Sequence, residues 1–385
     1  MRITNVIAGL GGGGAERVCI NLANAWVARG WDVTILSSSQ KATPAYAVDS
    51  RVQRRDTGGR RRADPKELNA ETLAPMLRGL HGIACFDIIW EMPRLAILRH
   101  AILATTPEVV VAHLDFTNVR VLAAMHETGV PVIACEQTDV SKFSIGSWQQ
   151  LREALYQHAS AVVAPHPAIA AWLAERGARA YAIPNLLHEP PAICWKRTSE
   201  RRGLVTLMRL SPEKRVDLLV RAFASIALDF PQWDLDIYGD GPLRDFIAEL
   251  IDELAPGRIR LRGFTNDPYG VLSGADLFVS ASWVEGFGNA IWEALACGVP
   301  VVAMECGAAV RSLVRDGVDG LIVDSDSPEA LASGLASLMG NDTARKALAA
   351  RTPEVLERFS SESALRKWDG LLEDVTSRRA LPAGT

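Results

Sequence analysis

Residues 282–300 read SWVEGFGNAIWEALACGVP, and this stretch decides the fold that the sequence predicts. The apolar run before it, 275–281, predicts a buried strand, and a glycine-bracketed loop, EGFG at 285–288, follows. Asn289 is a favoured N-cap residue, the next eight residues are mostly helix formers, and a Gly-Val-Pro stretch ends the helix before another apolar run. The order strand, tight loop, helix, strand predicts unpaired backbone N–H groups at the helix start, which suit a phosphate.

Two acids frame this predicted phosphate site. Glu285 lies in the loop, and Glu293 follows it within the predicted helix. Both are predicted to face the space beyond the carboxyl end of the strand, where open α/β sheets bind ligands. Because carboxylates repel phosphate, we expect them to bind hydroxyl groups at either end of a sugar nucleotide. The alternative is that Glu293 only complements the helix dipole and that Glu285 is a solvated loop residue.

Length and composition bound the kind of protein. A chain of 385 residues predicts two domains, and 48% hydrophobic residues predict well-filled cores. The net charge of -4 argues against a general nucleic-acid binder. The six cysteines form no CxxC pair, so we expect reduced thiols in a cytoplasmic protein. No apolar stretch reaches the length of a membrane-spanning helix, and the apolar start, residues 1–10, is too short for a signal peptide.

The N-terminal part predicts a strand at 3–8, a glycine loop reading GLGGGGAERV, a helix at 16–29 and a strand at 31–36. The loop matches GxGxxG, the fingerprint of dinucleotide-binding folds. Such folds usually carry an acid at the end of the second strand, whereas this strand runs into three serines at 37–39. A loop that lets the backbone approach another phosphate or a sugar therefore fits better than a nicotinamide or flavin site.

Later strands of the first half end in polar residues. Strands predicted at 108–112 and 130–134 run into His113 and into the stretch CEQTD, which holds Glu136 and Asp139. These side chains are predicted to face the same crevice as the glycine loop, although a lone histidine there is more often structural than catalytic. Two further strands are predicted at 159–164 and 180–183, so the first domain has about seven short strands.

Two segments suggest an anionic or membrane partner. Residues 51–66 form the most basic run and are predicted to be a loop, either a solvated surface or a contact for a lipid headgroup or a pyrophosphate. Residues 86–104 mix apolar side chains with two arginines, as in an interfacial amphipathic helix or in a core helix.

The second half begins another strand–helix series after a proline-containing linker. After a strand at 203–207, Arg209 and Lys214 bracket a turn and suit a diphosphate, the alternative being a surface pair. Asp234 and Asp236 resemble a metal-binding DxD, but alternation along a strand at 233–238 places them on one outward face, so no metal site is predicted. Strands are also predicted at 259–261 and 320–323, helices at 328–339, 345–359 and 362–375, and a frayed end at 378–385.

Taken together, these motifs resemble the retaining glycosyltransferases of the GT-B fold, in the large family usually numbered four, over nearly the whole chain. Residues 285–293 resemble that family's E-x7-E motif, RLSPEK at 209–214 its diphosphate-binding Arg and Lys, GGGGAERV its glycine loop, and 183–185 its domain boundary. The resemblance implies an α/β GT-B fold with two Rossmann-like doubly wound domains facing a central cleft. It implies an acceptor-binding domain at 1–187, a linker at 188–202, a nucleotide-sugar domain at 203–362 and a helix at 363–385 that crosses back to the first domain.

The resemblance also implies roles for individual residues. Catalytic roles fall to Arg209, Lys214 and Glu285. Donor binding falls to Gly13, Gly14, Phe264, Gly286, Phe287, Gly288, Asn289 and Glu293. Acceptor binding or catalysis falls to Glu16, His113, Glu136 and Asp139. No metal or cofactor is implied, since the UDP- or GDP-linked donor is a substrate.

One departure from the family pattern concerns a histidine. Many members carry it after a strand of the first domain, where this chain has Glu136, while His113 ends the preceding strand; both remain candidates. CEQTD resembles the sequence of members that extend glycans on polyprenyl diphosphate, which implies a lipid-linked acceptor at the inner membrane face and a peripheral protein.

The predicted function is retaining transfer of a hexosyl or N-acetylhexosaminyl group from a UDP- or GDP-sugar to a glycan acceptor in polysaccharide biosynthesis. We expect transfer on one face of the sugar, with the leaving phosphate accepting the acceptor's proton and fixed cations stabilising the diphosphate. The alternatives are an NAD(P)-dependent oxidoreductase that uses the N-terminal glycine loop and a non-catalytic sugar-nucleotide-binding subunit.

Overall fold

The computed structural model describes residues 1–38, 43–57, 83–190 and 202–380, with the side chains of 83–90 and 379–380 left aside. The chain divides into two compact units. The first comprises Met1–Leu187 and Glu362–Thr385, and the second His188–Ser361. Most of the predicted linker, 191–201, lies outside the described residues.

Among its described residues, the first unit has a sheet of seven parallel strands in the order β3-β2-β1-β4-β5-β6-β7. The strands are β1 (Arg2–Ile7), β2 (Asp32–Ser37), β3 (Gln53–Asp56), β4 (Val109–His113), β5 (Val132–Cys135), β6 (Ala161–Ala164) and β7 (Ala180–Ala182). The helices of this unit are α1 (Gly14–Ala28), α2 (Ile83–Leu103), α3 (Asp115–Ala124), α4 (Gln149–Tyr156), α5 (Pro167–Ala174) and, from the end of the chain, α14 (Ser361–Ala380).

Helices cover both faces of this sheet, because its central strands are apolar throughout. In β4 the side chains of Val110 and Ala112 enter one hydrophobic core, and those of Val109 and Val111 enter the other. Alternate residues of a strand point to opposite faces, so a continuous apolar run is buried on both sides. This is the doubly wound arrangement that the sequence predicts.

The last helix is part of the first unit. The Trp368 ring packs edge to face on Trp26, with ring centroids 5.6 Å apart, and both indoles are buried. Arg29 binds Asp369 at 3.1 Å. The helix therefore packs against α1 through an aromatic pair and an ion pair.

The second unit has six parallel strands in the order β10-β9-β8-β11-β12-β13. The strands are β8 (Arg202–Leu207), β9 (Trp233–Tyr238), β10 (Ile259–Gly263), β11 (Leu277–Ser280), β12 (Val301–Met304) and β13 (Gly320–Val323). The helices are α6 (Val216–Ile226), α7 (Arg244–Leu254), α8 (Pro268–Ser273), α9 (Asn289–Ala296), α10 (Ala308–Leu313), α11 (Pro328–Met339), α12 (Asp342–Ala349) and α13 (Val355–Arg358). The predicted class, α/β with two Rossmann-like doubly wound units, is confirmed.

Several sequence predictions need correction. The basic run predicted to be a loop contains an edge strand, β3, while its remainder from residue 58 lies outside the described residues. The helix predicted at 345–359 is two helices, α12 and α13, separated by a short 3₁₀ turn at Thr352–Glu354. The end predicted to fray from residue 378 is helical as far as Ala380.

The helix predicted at 86–104 forms α2. In the part whose side chains are described, Leu95 and Ile102 are buried in the core of the first unit, while Arg94 is exposed. From residue 91 onward, α2 is therefore a core helix with a polar outer side. No helix within the described ranges is both long enough and apolar enough to span a bilayer.

Candidate active site

Two loops, after β8 and after β9, interlock at the carboxyl edge of the second sheet. Gly239, after β9, has φ +139°, and a Cβ there would lie 1.8 Å from the Met208 carbonyl oxygen. The Leu210 N–H donates to Asp240 O at 3.0 Å, and the Leu210 carbonyl accepts from Leu243 N at 3.0 Å. A side chain at position 239 would separate the loops, so glycine is required there. The backbone of 208–210, which carries Arg209, is thereby fixed by its neighbour.

Lys214 and Glu285 meet beside these loops. The Lys214 Nζ lies 2.6 Å from Glu285 Oε1, and the two side chains are only 21% and 16% exposed. The Trp283 N–H donates to the Glu213 carbonyl at 3.1 Å, so the backbones of the two loops are also joined. The structure thus brings together the cation and the carboxylate to which the sequence assigned catalytic roles.

Arg209 precedes Lys214 on the same loop and is exposed. Within the described ranges its side chain has neither a hydrogen bond nor an ion pair, so its guanidinium is available to an anionic ligand. Of these two cations, Lys214 is therefore already paired and Arg209 is not.

The glycine loop before α9 differs in one detail from the prediction. Gly288, in the left-handed region at φ +93°, is the N-cap residue, and the helix begins at Asn289. The prediction of Asn289 as the N-cap is wrong by one residue, because the left-handed turn needs glycine and a Cβ at 288 would lie 3.1 Å from Leu313 Cδ1. Gly286 also lies in this loop, next to the Glu285 carboxylate.

The other predicted donor-binding residues differ in what they can offer. The Phe287 ring is buried and packs edge to face on Phe359 at 5.6 Å, so only its backbone can meet a ligand. The Phe264 ring, just after β10, is 47% exposed and can stack on a base. Glu293 lies in α9 and is 3% exposed. Their roles in donor binding stay predictions.

The N-terminal glycine loop ends at Gly13, the N-cap of α1, and Gly14 is the first residue of that helix. The Glu16 carboxylate folds back over Gly13, since a Cβ there would lie 2.2 Å from Glu16 Oε2. The Tyr46 hydroxyl donates to Gly12 O at 3.0 Å and holds the loop from the other side. The loop is therefore shaped by glycine backbone and by one carboxylate at the helix start.

The described end of β2 carries no acid that could hold a ribose. β2 ends at Ser37, and the Ser38 hydroxyl donates to Ala8 O at 2.9 Å.

His113 and Glu136 both lie at the carboxyl edge of the first sheet, where His113 pairs in register with Cys135, the residue before Glu136. His113 is fully buried, its Nε2 lies 3.0 Å from Asn5 Oδ1, and burial lowers its pKa to about 3. Glu136 accepts a hydrogen bond from the Tyr156 hydroxyl, and burial raises its pKa to about 7 against the opposing effect of Arg152. At neutral pH the His113 imidazole is therefore uncharged, and the Glu136 carboxyl is protonated in part.

Asp139 closes the loop after β5. Its Oδ1 accepts hydrogen bonds from the backbone N–H of Ser141 at 3.1 Å and from the Ser141 hydroxyl at 2.5 Å. The sequence analysis missed His166, which follows β6; burial lowers its pKa, and the nearby Asp139 opposes that shift. The signal that identified His113, a polar residue just after a buried strand, also marks His166.

The DxD-like pair is held in ion pairs. Arg260 binds Asp236 at 2.7 Å and Asp234 at 3.2 Å, and Arg258 and Arg262 add one contact each. Across the described parts of the chain, no group of three metal-ligating side chains comes together. Both carboxylates are occupied by arginines, and Asp234 is only 3% exposed, so the prediction of one outward face is wrong for Asp234.

Two family models match the chain. The model described as Glycosyl transferase 4-like domain matches residues 13–185, and the model described as Glycosyl transferases group 1 matches residues 201–341. The first match lies in the first unit and the second match lies in the second unit. Each match contains the candidate site residues of its unit.

Curated relatives match over different extents. An exopolysaccharide phosphotransferase of Streptomyces coelicolor is 27% identical over 96% of this chain and 40% of its own length. A GalNAc-α-(1→4)-GalNAc-α-(1→3)-diNAcBac-PP-undecaprenol α-1,4-N-acetyl-D-galactosaminyltransferase of Campylobacter jejuni is 23% identical over 97% of this chain and 99% of its own length. The chain spans 40%, 28% and 39% of the lengths of three curated relatives that it matches.

A solved structure shows the same fold. The crystal structure of a mutant of S. aureus TarM in complex with Fondaparinux, alpha-GlcNAc-glycerol and UDP superposes with a TM-score of 0.78, at 14% identity, over 96% of this chain and 99% of that one. This likeness confirms the predicted GT-B fold class. Each unit thus matches a glycosyltransferase family model, in the order that the sequence predicts, and the fold is that of the GT-B glycosyltransferases.

Proposed function

We propose that this protein transfers a hexosyl or N-acetylhexosaminyl group, with retention of configuration, from a UDP- or GDP-sugar to a glycan acceptor. The observation that carries the proposal is the Lys214–Glu285 pair at 2.6 Å, beside the exposed Arg209 at the carboxyl edge of the second sheet. Open α/β sheets bind their ligands at this edge. Cations fixed there stabilise the charge that a nucleoside diphosphate gains as it leaves.

Each residue then has a defined task. Arg209 and Lys214 neutralise the diphosphate, while Glu285 accepts hydrogen bonds from hydroxyls of the transferred sugar. The backbone after Gly286 provides N–H groups for a phosphate oxygen, and Glu293 holds the ribose. The leaving phosphate takes the proton from the acceptor hydroxyl as the new bond forms on the same face of the sugar.

Donor screening tests this proposal. Purified protein is incubated with UDP- and GDP-sugars, and the released nucleotide is identified by chromatography. Release of UDP or GDP, with the freed sugar first formed in the donor's anomeric configuration by NMR, supports a retaining mechanism. The phosphotransferase relative raises a specific alternative, because transfer of a sugar phosphate would release UMP or GMP instead. Either that outcome or inversion at the anomeric carbon would refute the proposal.

We further propose that the acceptor glycan is linked to a lipid diphosphate at the inner face of the membrane. The support is the CEQTD stretch, the basic run 51–66 and the undecaprenol-linked substrate in the name of the Campylobacter relative. Pelleting with phosphatidylglycerol vesicles tests this. Binding should be lost at high salt or on neutralising Arg60, Arg61 and Arg62, which lie outside the described residues. Failure to bind at any salt concentration would count against a membrane site.

A further inference from the structure

A strained turn follows β4 in the first unit. Leu114 has φ 75° and ψ 146°, a region that residues with a side chain seldom adopt. Its carbonyl accepts from Asn118 N at 2.7 Å, and its N–H donates to Cys135 O at 3.3 Å. Strain of this kind persists where the surroundings enforce it, and it clusters at ligand sites. Its effect here is to set Asp115 and Phe116 at the carboxyl end of β4.

An aromatic cluster lies at this turn. Phe116 is 39% exposed, and its ring meets the Trp148 ring edge to face at 5.5 Å. The Arg120 guanidinium lies over both rings, 5.0 Å from the Trp148 centroid and 6.0 Å from that of Phe116. Trp148 belongs to the 3₁₀ turn after the β5 loop, so the cluster joins the loops that follow two neighbouring strands. It therefore continues the edge that carries Asp139.

The charges of the cluster are already balanced. The Glu91 carboxylate binds Arg120 at 3.0 Å and Arg94 at 2.6 Å. Glu91 thus divides its carboxylate between two arginines. A phosphate would have to compete with Glu91 for Arg120, so the cluster is poorly suited to a phosphate. An uncharged ligand does not face that competition.

Polar groups beside the rings suit hydroxyls. In the described part of the chain, the Trp148 indole N–H has no hydrogen-bond acceptor. Asp115 uses Oδ1 to accept from the Phe116 N–H at 2.8 Å and is only partly buried. A carboxylate, an indole N–H and a guanidinium around an apolar ring surface are complementary to a molecule with one C–H face and a rim of hydroxyls.

We infer that Phe116, Trp148, Arg120 and Asp115 form a subsite for one uncharged pyranose ring of the acceptor. The C–H face of the sugar packs on the Phe116–Trp148 pair, and its hydroxyls bond to the polar groups around it. The inference rests on the proposed function, and it specifies an acceptor that already carries a sugar, rather than a bare lipid phosphate, on the first unit.

The test measures sugar binding apart from transfer. Methyl α-glycosides of glucose, galactose, GlcNAc and GalNAc are titrated into the full chain and followed by saturation-transfer NMR. At least one should bind through its ring protons, and Phe116→Ala should weaken that binding about tenfold, the loss of one stacking face. Trp148→Phe, which keeps an aromatic ring but removes the N–H, should weaken it about threefold, the loss of one hydrogen bond.

Phe246→Ala is the matched control, since Phe246 is 49% exposed on the second unit. UDP binding by calorimetry should be unchanged in all three variants, which separates this subsite from failure of the donor site. Absence of binding by every glycoside, or equal binding by the Phe116 and Phe246 variants, would overturn the inference. So would loss of phosphatidylglycerol-vesicle binding in Phe116→Ala with glycoside binding intact, because the cluster would then contact the membrane.

Discussion

Replacing Lys214 by methionine removes a cation from the candidate donor site while keeping a long, unbranched side chain. The amine lies 2.6 Å from Glu285 and is mostly buried, so its position is fixed before substrate arrives. A preorganised charge aimed at a leaving group contributes about 3–4 kcal/mol, so we expect kcat for sugar transfer to fall roughly 100- to 1000-fold. UDP affinity should fall as well, since the product carries the same diphosphate.

The stability of the variant follows from the same pair. Exposed ion pairs contribute up to about 1 kcal/mol, and breaking a buried pair costs about 3–5 kcal/mol. With side chains 21% and 16% exposed, this pair lies between those limits, so we expect a loss of about 2 kcal/mol in unfolding free energy. The double variant Lys214→Met with Glu285→Gln removes the unpaired carboxylate. It should recover much of that stability without recovering transfer.

Transfer is measured with a radiolabelled donor, and folding with urea unfolding of the same preparations. Lys346→Met is the control, because Lys346 is exposed on α12. The reasoning is refuted if the folded Lys214 variant keeps more than about a tenth of the wild-type kcat, a loss of under ~1.4 kcal/mol. Recovery of transfer in the double variant would refute it equally, since the pair would then act only in folding.

Three further predictions concern the scaffold. Gly239→Ala should lower the unfolding free energy by roughly 2–4 kcal/mol and raise the KM for the donor, because the new Cβ would lie 1.8 Å from the Met208 carbonyl oxygen. An unchanged free energy of unfolding in urea would contradict this. Glu136 keeps its proton to a pKa of about 7 when folded but loses it near 4.5 when unfolded, so its contribution to stability is present below pH 4.5 and is lost as pH rises towards 7. Glu136→Gln should remove about 2–3 kcal/mol of that pH dependence between pH 5 and pH 8, measured by urea unfolding; an equal change in both proteins would argue otherwise. Trp368→Ala should lower the unfolding free energy by about 3–5 kcal/mol through lost packing on Trp26. Calorimetry should show a lower unfolding temperature for the first unit, and a shift confined to the second unit would refute the prediction.

The bounds of two strands, β9 and β13, agree with the prediction to the residue. β13 is an apolar run and β9 alternates apolar and acidic residues, and turn residues flank both strands. β3 was missed, since its sequence QRRD is mostly exposed and has no apolar residue. It forms because the edge of β2 offers backbone partners in register, a long-range condition that no local pattern contains.

Helix ends were predicted less well, for local reasons. Pro353 cannot continue a helix, and it separates α12 from α13 where the composition alone predicts one segment. The six-residue α8, which begins after Asp267, was not predicted, because its start depends on the Asp267 side chain accepting from Gly270 N.

The candidate site was predicted as residue types but not as contacts. Motif spacing named Lys214 and Glu285, although they are 71 residues apart in sequence. Their meeting depends on β8 pairing with β11, where Leu204 lies opposite Leu277. Sequence spacing alone does not give that register.

The same pairing suggests how the donor site changes on binding. In this structure Lys214 is neutralised by Glu285, while Arg209 has no partner in the described ranges. An arriving diphosphate would meet Arg209 first and then compete with Glu285 for Lys214. Once Lys214 also binds the phosphate, its pairing with Glu285 weakens and the carboxylate can accept hydrogen bonds from sugar hydroxyls. The Lys214–Glu285 ion pair would thus hold both side chains in place when no substrate is bound and make both available when substrate binds. Replacing Lys214, which binds the diphosphate, should therefore affect binding and transfer differently from replacing Glu285, which binds the sugar.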